Sequence, residues 1–469
     1  MTAEAMPERV IVVGGGLAGL AAAAALGQAG LPVTLLESRG RWGGRASSFV
    51  DQTTGETIDN CQHVSMGCCT NFQAFCQRVG IDEFFHREPR LWFLDAAGHL
   101  SALSSAPLPA PLHLLPSLLS MKLLSWGEKM ALARGMLALV KEPLQDPGES
   151  FAVWLQRHRQ PAAAIDRFWS VVLISALSET LDRIDIGQAR KVFLDGFLAN
   201  RSGWEVYLPT VPLDDLYGRL LANWLQEHGV ETRLQAGVKR LVVADDRIQG
   251  VELRNGETLA ADHFILAVPH FQVPTLLPDT CGELPYFGNL SQLETAPISS
   301  AHLWYDRPIM PLRHVTLVGR LSQWVFNRSL IQGTATDRGY YYQVVISAAR
   351  HIASLPQDEA LQQVVQELAE IWPAAKQATL RHGRLVTEHR AVLSMTPGVD
   401  QLRPLQQSPI INLQLAGDWT QTGWPSTMEG AVRSGYLAAE NVLKQCGRRG
   451  RVLVPDLPAT PLARLVLGL

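Results

Sequence analysis

The sequence predicts an α/β protein in which a buried parallel sheet carries an inserted α+β region. Three observations support this prediction. An apolar strand at 10–13 runs directly into a glycine-rich turn, an alanine-rich helix follows the turn, and a second apolar strand occupies 33–36. At 469 residues the chain exceeds the size at which a single core stops growing, so we expect two or more domains.

The glycine-rich turn has the spacing of a dinucleotide-binding motif. Gly14 permits a tight turn, Gly16 has no Cβ to obstruct a pyrophosphate, and Gly19 lets the helix pack closely on the strand. Leu17 and Ala18 open the helix, where free backbone N–H groups attract phosphate. Because strands flank the motif on both sides, we predict a Rossmann-like cofactor site here.

An acidic residue ends the second strand at the position where such folds bind a ribose. Glu37 lies 18 residues after Gly19, and its carboxylate is suited to accept hydrogen bonds from ribose hydroxyls. We assign Ser38 and Arg39, which follow it, to the same cofactor site. The predicted cofactor is therefore a dinucleotide that contains adenosine.

A second glycine pair follows shortly afterwards. Gly43 and Gly44 lie between Arg41 and Arg45, which provides exposed backbone and two guanidinium groups for a second phosphate contact. The alternative is a solvated basic loop. With this motif after Glu37, the chain resembles the FAD-binding amine oxidase and phytoene desaturase superfamily. The resemblance implies FAD as the cofactor and a Rossmann-like FAD-binding domain of the GR2 type with an inserted α+β substrate domain.

A further run resembles one branch of that superfamily more closely. Residues 59–64 read Asp-Asn-Cys-Gln-His-Val, and 67–69 read Gly-Cys-Cys. This pattern is similar to the squalene-associated branch, the hydroxysqualene dehydroxylases of bacterial hopanoid synthesis. The resemblance implies that Gln62 and His63 lie near the flavin and belong to the catalytic site. His63 is the predicted proton donor because imidazole titrates near neutral pH; the alternative is a histidine that only forms core hydrogen bonds.

Near the other end of the sequence, a strand is predicted to end in Gly417-Asp418 and a helix to begin near 427. In the superfamily such an aspartate binds the ribityl or pyrophosphate region, and the helix start points its N–H groups at the flavin. The remaining residues that we assign to the cofactor are Val238, Met428, Gly430 and Ala431. Trp424 precedes the helix, and we assign its ring to the substrate side, where an aromatic face stabilises a cationic reaction centre.

These motifs divide the chain into six segments. We predict an FAD-binding domain made of 1–90, 207–274 and 406–446, a helical substrate- or membrane-facing insertion at 91–206, a substrate-binding sheet domain at 275–405 and a C-terminal tail at 447–469. The leucine-rich start of the insertion is either a buried helical lid or an interfacial helix. The tail is either disordered or in contact with an anionic membrane surface.

Composition argues against several classes of partner. The net charge of −3 gives no basic surface, so no nucleic acid is expected. The six cysteines have no metal-binding spacing, so no metal is expected. Neither a secretion signal nor an apolar run of about 18 residues is present in the sequence. We expect a cytoplasmic protein, and peripheral contact with the inner face of the cell membrane is left open.

The resemblance implies an enzyme that uses FAD to remove the hydroxyl of hydroxysqualene reductively and so forms squalene for hopanoid synthesis. Its partners would be an apolar C30 isoprenoid and a reductant such as NADPH, although no second dinucleotide motif is present. Residues 296–307, the counterpart of the strand that carries a lysine in amine oxidases, contain no lysine, which argues against amine oxidation. Two alternatives remain: a carotenoid-type desaturase that uses the flavin oxidatively, and a non-enzymatic isoprenoid carrier in which FAD is structural.

Overall fold

A computed structural model describes residues 8–143, 148–244, 247–278, 284–334 and 339–469. Within these residues, the centre of the fold is a five-stranded parallel sheet, which confirms the predicted α/β class. In spatial order its strands are Val230–Arg233, Val33–Leu36, Val10–Val13, His263–Leu266 and Leu413–Leu415. The strand at 10–13 is apolar and buried along its whole length because both faces of a parallel sheet are covered.

Long helices pack on this sheet and on each other. Helix Leu17–Gln28 follows the glycine-rich turn, and helix Met428–Gln445 closes the cofactor part of the fold. A Cβ on Gly435 would lie 2.1 Å from the carbonyl oxygen of Ala18, so the two helix backbones can touch only because residue 435 is glycine. The first helix is buried almost throughout, which explains its alanine-rich sequence.

The inserted α+β region contains a seven-stranded mixed sheet among the described residues. In spatial order its strands are Leu380–Leu393, Thr295–Tyr305, Tyr340–Ile346, Trp324–Asn327, His314–Leu317, Leu91–Leu94 and Leu100–Leu103. Helix Gln357–Ile371 packs against this sheet through its buried apolar face. The segment 91–103 contributes two strands, although the sequence predicts helix there. Leu91–Leu94 pairs in parallel with His314–Leu317, and local sequence does not reveal so distant a partner.

Smaller sheets join these two parts. The predicted antiparallel meander consists of Val238–Ala244, Arg247–Leu253 and Thr258–Ala260. A hairpin is formed by Ser48–Val50 and Thr57–Asp59. A further sheet contains, in spatial order, Ser65–Met66, Val206–Pro209 and Phe85–Glu88. This sheet pairs two strands that precede the helical segment in the sequence with one strand that follows it. The start and the end of the helical segment therefore lie close together.

The segment between 104 and 205 is mainly helical, as predicted. Its helices are Leu112–Leu114, Leu115–Ser120, Trp126–Val140, Phe151–Arg157, Ala162–Ala164, Ile165–Trp169, Ser170–Leu177, Ile186–Phe193 and Leu194–Leu198. The helices at 165–169 and 194–198 are wide π-helical turns. Trp154, Trp169 and Phe193 form edge-to-face contacts in the buried centre, so aromatic packing holds this segment together.

Shorter helices fill the connections, and the last of them belongs to the tail. They are Thr70–Arg78, Asp82–Phe84, Asp214–Leu220, Leu221–Glu227, His270–Gln272, Val273–Leu276, Pro285–Gly288, Asn289–Gln292, Arg328–Gln332, Arg350–Ala353, Pro373–Gln377, Val399–Leu402 and Pro461–Leu467. Ala463 and Leu467 are buried in a cluster with Leu194 and Ala199, so the tail packs on the helical segment. Among the described residues, no helix has the length and apolar character needed to cross a membrane.

Candidate functional site

One large cavity brings most of the predicted site residues together. It has a volume of about 1070 Å³ and extends from the carboxyl ends of the parallel strands into the helical segment. The predicted residues on its wall are Gly14, Gly16, Leu17, Ala18, Glu37, Ser38, Arg39, Gly43, Gly44, Arg45, Gln62, His63, Val238, Gly417, Asp418, Trp424, Met428 and Ala431. The predicted residues off the wall are Gly19, Arg41 and Gly430.

Gly19 and Gly430 shape the backbone behind the cavity. A Cβ on Gly19 would lie 1.9 Å from the carbonyl oxygen of Gly14. A Cβ on Gly430 would lie 2.6 Å from the carbonyl oxygen of Pro425. Both contacts are with backbone, so each glycine lets a helix approach the turn that precedes it. Their contribution to cofactor binding is therefore indirect.

The first glycine turn leaves space at the position expected for a phosphate. Gly14 has a φ of +114°, and a Cβ there would lie 2.4 Å from the carbonyl oxygen of Ala267. At Gly16, no atom of the described residues other than Gly16 and its two chain neighbours lies within 4 Å of a Cβ position. This space lies at the amino end of helix Leu17–Gln28, whose first N–H groups have no partner within the helix. The turn is therefore suited to an anionic group.

Glu37 lies beside this turn, and its carboxylate connects the turn to the loop that follows the second strand. Its Oε2 accepts a hydrogen bond of 2.8 Å from the N–H of Gly15, and its Oε1 accepts one of 2.7 Å from the N–H of Arg39. A carboxylate oxygen with one such bond can accept another, so the predicted ribose contact is compatible with this geometry. Val238 lies nearby because the N–H of Ala236 donates to the carbonyl oxygen of Glu37 at 2.8 Å.

The second glycine pair rests directly on the first turn. The N–H of Gly43 donates to the carbonyl oxygen of Gly15 at 2.8 Å. A Cβ on Gly44 would lie 3.1 Å from the Cα of Gly16. Gly43 and Gly44 have φ values of +94° and +62°, which favour glycine. The second loop therefore closely approaches the space beside Gly16, as a phosphate clamp requires.

Of the two arginines in this loop, Arg45 lies on the cavity wall and Arg41 does not. Arg45 forms an ion pair with Asp418 and donates to the carbonyl oxygen of Ala391 at 2.8 Å. Burial acts to raise the pKa of Asp418, but Arg45 and the Ser426 hydroxyl hold it below its ordinary value. The Asp418 carboxylate, which we expected to bind the cofactor, therefore holds Arg45 in position. Burial lowers the pKa of the Arg41 guanidinium.

The last long helix presents its amino end to the cavity. Met428 and Ala431 line the wall, and Thr427 caps the helix by accepting a hydrogen bond of 3.2 Å from the N–H of Gly430. The positive end of the helix dipole thus adjoins the same cavity as the first glycine turn. Two helix amino ends, one from each end of the sequence, therefore face one space.

Sequence reasoning did not single out Glu429, which is fully buried and lines the cavity. Its carboxylate accepts hydrogen bonds from the N–H groups of Phe72 at 2.7 Å and Asn71 at 3.2 Å, and it pairs with Arg433 at 3.2 Å. Burial raises the pKa of Glu429, although these donors and Arg433 oppose the shift. Glu429 therefore ties the last helix to the start of helix Thr70–Arg78. The sequence did offer one signal for Glu429, which is an acidic residue in the first turn of a predicted helix.

A buried arginine from a distant part of the sequence holds the loop that carries Gln62. Arg328 is 1% exposed, forms an ion pair of 2.8 Å with Asp59, and donates to the side-chain oxygen of Gln62. Its local sequence resembles that of any surface arginine, so sequence reasoning missed it. Arg328 thereby connects the substrate-domain sheet to the cavity wall.

His63 lies on the cavity wall with its Nδ1 3.0 Å from the carbonyl oxygen of Cys61. A carbonyl oxygen only accepts, so Nδ1 must carry hydrogen. Burial lowers the pKa of His63, and the nearby Asp59 carboxylate opposes this shift. The imidazole is therefore mainly neutral at neutral pH, which disfavours the proton-donor role that we expected from the sequence.

The Trp424 ring is already in contact with positive charges of the protein. The Lys191 ammonium lies 4.4 Å from the ring centre, and the Arg433 guanidinium lies 5.6 Å from it. The indole Nε1 donates to Asp456 at 3.2 Å. Because protein cations occupy the π system, the geometry does not favour the predicted role of Trp424 in stabilising a cationic reaction centre.

Beyond the glycine turns, the wall of the cavity is mostly apolar. Representative side chains are Phe93, Leu114, Met121, Leu132, Phe168, Val171, Val172, Phe197, Trp324 and Phe326. They come from both the helical segment and the seven-stranded sheet. A cavity of this kind suits a long apolar ligand that is oriented by few polar groups.

The residues at the glycine-loop end of the cavity fit a flavin dinucleotide. Two glycine loops leave room for backbone contact with phosphate, two helix amino ends add positive potential, and Arg45, which Asp418 holds in position, adds guanidinium donors. The apolar end of the cavity directly adjoins this region. A dinucleotide bound along the two glycine loops would therefore extend to the apolar end of the cavity.

Comparison with known proteins agrees with this geometry. The chain is 28% identical over 470 residues to the 15-cis-phytoene desaturase of Solanum lycopersicum, covering 93% of this chain and 78% of that relative. It is 26% identical over 474 residues to the 15-cis-phytoene desaturase of Synechococcus elongatus, covering 93% of this chain and 96% of the relative. A solved oxidoreductase from Methanosarcina mazei shares the fold, with a TM-score of 0.71 at 17% identity over 93% of this chain and all of that one.

A family model decides the assignment. The model described as flavin containing amine oxidoreductase matches residues 17–443, which run from the start of helix Leu17–Gln28, through the second glycine loop, into the last long helix. FAD is the cofactor that this family and the geometry of the two loops support. The chain therefore belongs to the flavin containing amine oxidoreductase family and is an FAD-dependent oxidoreductase.

Proposed function

We propose that this FAD-dependent oxidoreductase acts on a long, linear isoprenoid and that hydride moves between the flavin and the isoprenoid chain. The observation that carries the proposal is the continuity of the cavity, which has glycine loops at one end and apolar side chains at the other. An isoprenoid chain suits such a wall because burying its apolar surface is favourable. The phytoene desaturases among the relatives support the same class of substrate.

Two reactions are candidates for this site. Desaturation, in which the isoprenoid would lose a hydride to FAD and a proton to the medium and an electron acceptor would reoxidise the cofactor, has the better support because the relatives are named phytoene desaturases. Reductive removal of the hydroxyl of hydroxysqualene, which the sequence pattern at 59–69 led us to expect, is the second candidate. It is favoured by an ion pair on the cavity wall, Lys191 with Asp195. The reductant that this second reaction needs, for example NADPH, stays a prediction.

The residues of the chain bind, orient and isolate the reactants. When bound, FAD supplies the capacity to accept or donate hydride. The glycine loops and Arg45 would hold its phosphates, and Arg328 fixes the loop of Gln62 and His63 on the cavity wall. The apolar wall excludes water, which strengthens the electrostatic effect of the few charged groups that remain.

We also propose that the cavity opens onto a membrane surface. Seven side chains are both exposed and part of the cavity wall, and we call them the apolar rim: Leu112, Leu115, Leu119, Trp126, Met130, Leu137 and Val466. Such a group favours an apolar partner over water. Lys129 and Arg167 line the same cavity, and their charges suit anionic headgroups. An isoprenoid dissolved in the bilayer would enter here. Location in the cytoplasm stays a prediction.

A paired anaerobic experiment tests the proposed function. Oxidised holoenzyme is mixed with liposomes that contain a phytoene-type hydrocarbon, and photoreduced holoenzyme is mixed with liposomes that contain hydroxysqualene. Flavin absorbance and the extracted lipids are followed together. Flavin reduction with a new conjugated double bond supports desaturation, whereas flavin oxidation with one squalene per flavin supports dehydroxylation. A flavin that responds to neither lipid would contradict the proposal and favour the carrier alternative.

A further inference from the structure

The helical segment places an ion pair on the mostly apolar wall beside Trp424. Lys191 and Asp195 lie one helical turn apart, with Nζ 2.7 Å from Oδ2, and both side chains line the cavity. We infer that this pair binds a neutral oxygen group, such as a hydroxyl, on the isoprenoid substrate. The inference rests on the proposed function and narrows its substrate class.

The Lys191 ammonium is held in place and still has hydrogens to donate. Its Nζ donates to Asp195 and lies 4.4 Å from the centre of the Trp424 ring. Within the described parts of the chain, Asp195 is its one hydrogen-bond acceptor. An ammonium carries three N–H donors, so at least one remains for a molecule in the cavity after the contacts with Asp195 and the Trp424 ring.

The local backbone brings Asp195 to the cavity in an unusual way. Helix Ile186–Phe193 passes without a break into the wide π-helical turn Leu194–Leu198, which contains Asp195. Wide turns of this kind are rare and are frequently found at functional sites. The Lys191 side chain is 16% exposed and the Asp195 side chain is 27% exposed, so both remain accessible to a ligand.

The charges of the pair determine which ligand fits. The two charges of the pair largely cancel, so neither an anionic nor a cationic group gains a net attraction from it. A hydroxyl can accept a hydrogen bond from the ammonium and donate one to the carboxylate, so it satisfies both partners. A pure hydrocarbon offers neither contact, and it would remove water from the pair without replacing the lost hydrogen bonds.

This requirement separates the two candidate reactions. Hydroxysqualene carries a hydroxyl, whereas a phytoene-type hydrocarbon carries none. The ion pair is therefore an argument for reductive dehydroxylation, whereas the names of the relatives remain the argument for desaturation. The competing occupant is the cofactor, because Trp424 also adjoins the amino end of helix Met428–Gln445.

The test compares two lipids that differ in the hydroxyl. Oxidised holoenzyme in detergent micelles is titrated with hydroxysqualene or with squalene, and the perturbation of the flavin absorbance gives each dissociation constant. We expect the wild-type protein to bind hydroxysqualene about tenfold more tightly. Lys191→Met should abolish this preference and leave squalene binding unchanged or tighter. Lys191→Arg should keep most of the preference, and Asp195→Asn should weaken it.

A matched control separates the pair from a general effect of charge removal. Lys239 lies 2.7 Å from Glu252 on the antiparallel meander, and Lys239→Met should leave both dissociation constants unchanged. Flavin content and the melting temperature show whether each variant folds.

Equal binding of the two lipids by the wild-type protein would overturn the inference and leave the proposed function intact. Binding of neither lipid would overturn the inference, and the phytoene-type arm of the paired anaerobic experiment would then decide whether the proposed function stands. Loss of FAD from Lys191→Met, with FAD retained in Lys191→Arg, would assign the pair to the cofactor and would also overturn the inference.

Discussion

The two ends of the cavity are built by different means. The dinucleotide end is made largely of backbone, and its two glycine loops lie within residues 14–45. The apolar end is made of side chains from segments far apart in the chain, such as Phe93, Phe168 and Trp324. Where backbone packs on backbone, as at Gly14 and Gly19, there is no room for an added side chain, whereas a wall of side chains adjusts to exchange. We therefore expect all-or-none effects at the first end and graded effects at the second.

The largest effect should come from Gly19→Val. Its Cβ would lie 1.9 Å from the carbonyl oxygen of Gly14, and this backbone atom cannot move without displacing the turn. We expect no folded protein with bound flavin, measured as the flavin-to-protein ratio after purification.

The control for that variant is Gly127→Ala in helix Trp126–Val140. In the described part of the chain, no atom lies within 4 Å of a Cβ at this position except those of its chain neighbours and of the backbone of its own helix. Full flavin content and stability raised by up to about 1 kcal/mol are expected, because alanine favours helix. Normal flavin content in Gly19→Val would show that the dinucleotide end adjusts after all.

The next largest effect should come from Arg328→Met, at the border between the two ends. The change leaves the buried Asp59 carboxylate without its partner at 2.8 Å. We expect a loss of about 3–5 kcal/mol in the free energy of unfolding, measured by urea titration with tryptophan fluorescence. Arg240→Met, at an exposed side chain 2.6 Å from Glu252, should cost no more than about 1 kcal/mol. Equal losses in the two variants would show that the buried Arg328–Asp59 ion pair matters no more to stability than the exposed pair.

A smaller effect concerns pH and a histidine behind the cavity. His302 is fully buried, its Nδ1 lies 2.7 Å from the Tyr341 hydroxyl, and burial lowers its pKa to about 3. In the unfolded chain the pKa is about 6.5. Between these values the unfolded chain binds a proton that the folded ring does not, so stability falls as pH drops from about 6.5 toward 3.

Replacement of this histidine should make stability less dependent on pH. We expect His302→Gln to flatten the change in unfolding free energy between pH 7 and 5, whereas His351→Gln, at an exposed position, should not. Identical slopes for both variants would exclude His302 as a cause of acid sensitivity.

The smallest effect concerns the apolar rim. Trp126 is 64% exposed, and Trp126→Ser should weaken binding to vesicles of anionic lipid by about tenfold, because less apolar surface enters the bilayer. Vesicle co-sedimentation measures this binding. Ile411→Ser, at a residue that is 62% exposed and absent from the rim, should leave it unchanged. An equal loss in both variants would argue against docking through the rim.

Sequence reasoning succeeded where a feature depends on neighbours in the chain. The spacing of Gly14 and Gly16 reflects the geometry of one turn, and Glu37 follows from the length of one strand-helix-strand unit. The antiparallel meander was equally predictable, since its strands are consecutive. The α/β class and FAD follow from such local units.

It failed where a feature depends on a partner from elsewhere in the chain. Leu91–Leu94 becomes a strand because it finds an edge formed by His314–Leu317. Arg328 can be buried because it forms an ion pair with Asp59, which is distant in the sequence. Lys191 and Trp424 are distant in the sequence but in contact in the structure. This contact argues against the predicted role of the Trp424 ring in stabilising a cationic reaction centre. The apolar end consists mainly of such contacts, so its chemistry was the less predictable part.

The position of helix Met428–Gln445 also determines when the cofactor can be held during synthesis. The strand at 10–13 and its glycine turn leave the ribosome early, but their neighbour His263–Leu266 emerges much later, and the closing helix later still. A nascent chain that stops before this helix lacks one of the two positive helix ends that face the cofactor. Since binding stabilises only a state that can bind, we expect FAD to stabilise the chain fully only after this helix has been made. The late position of the helix in the sequence thus delays the point at which the cofactor site is complete.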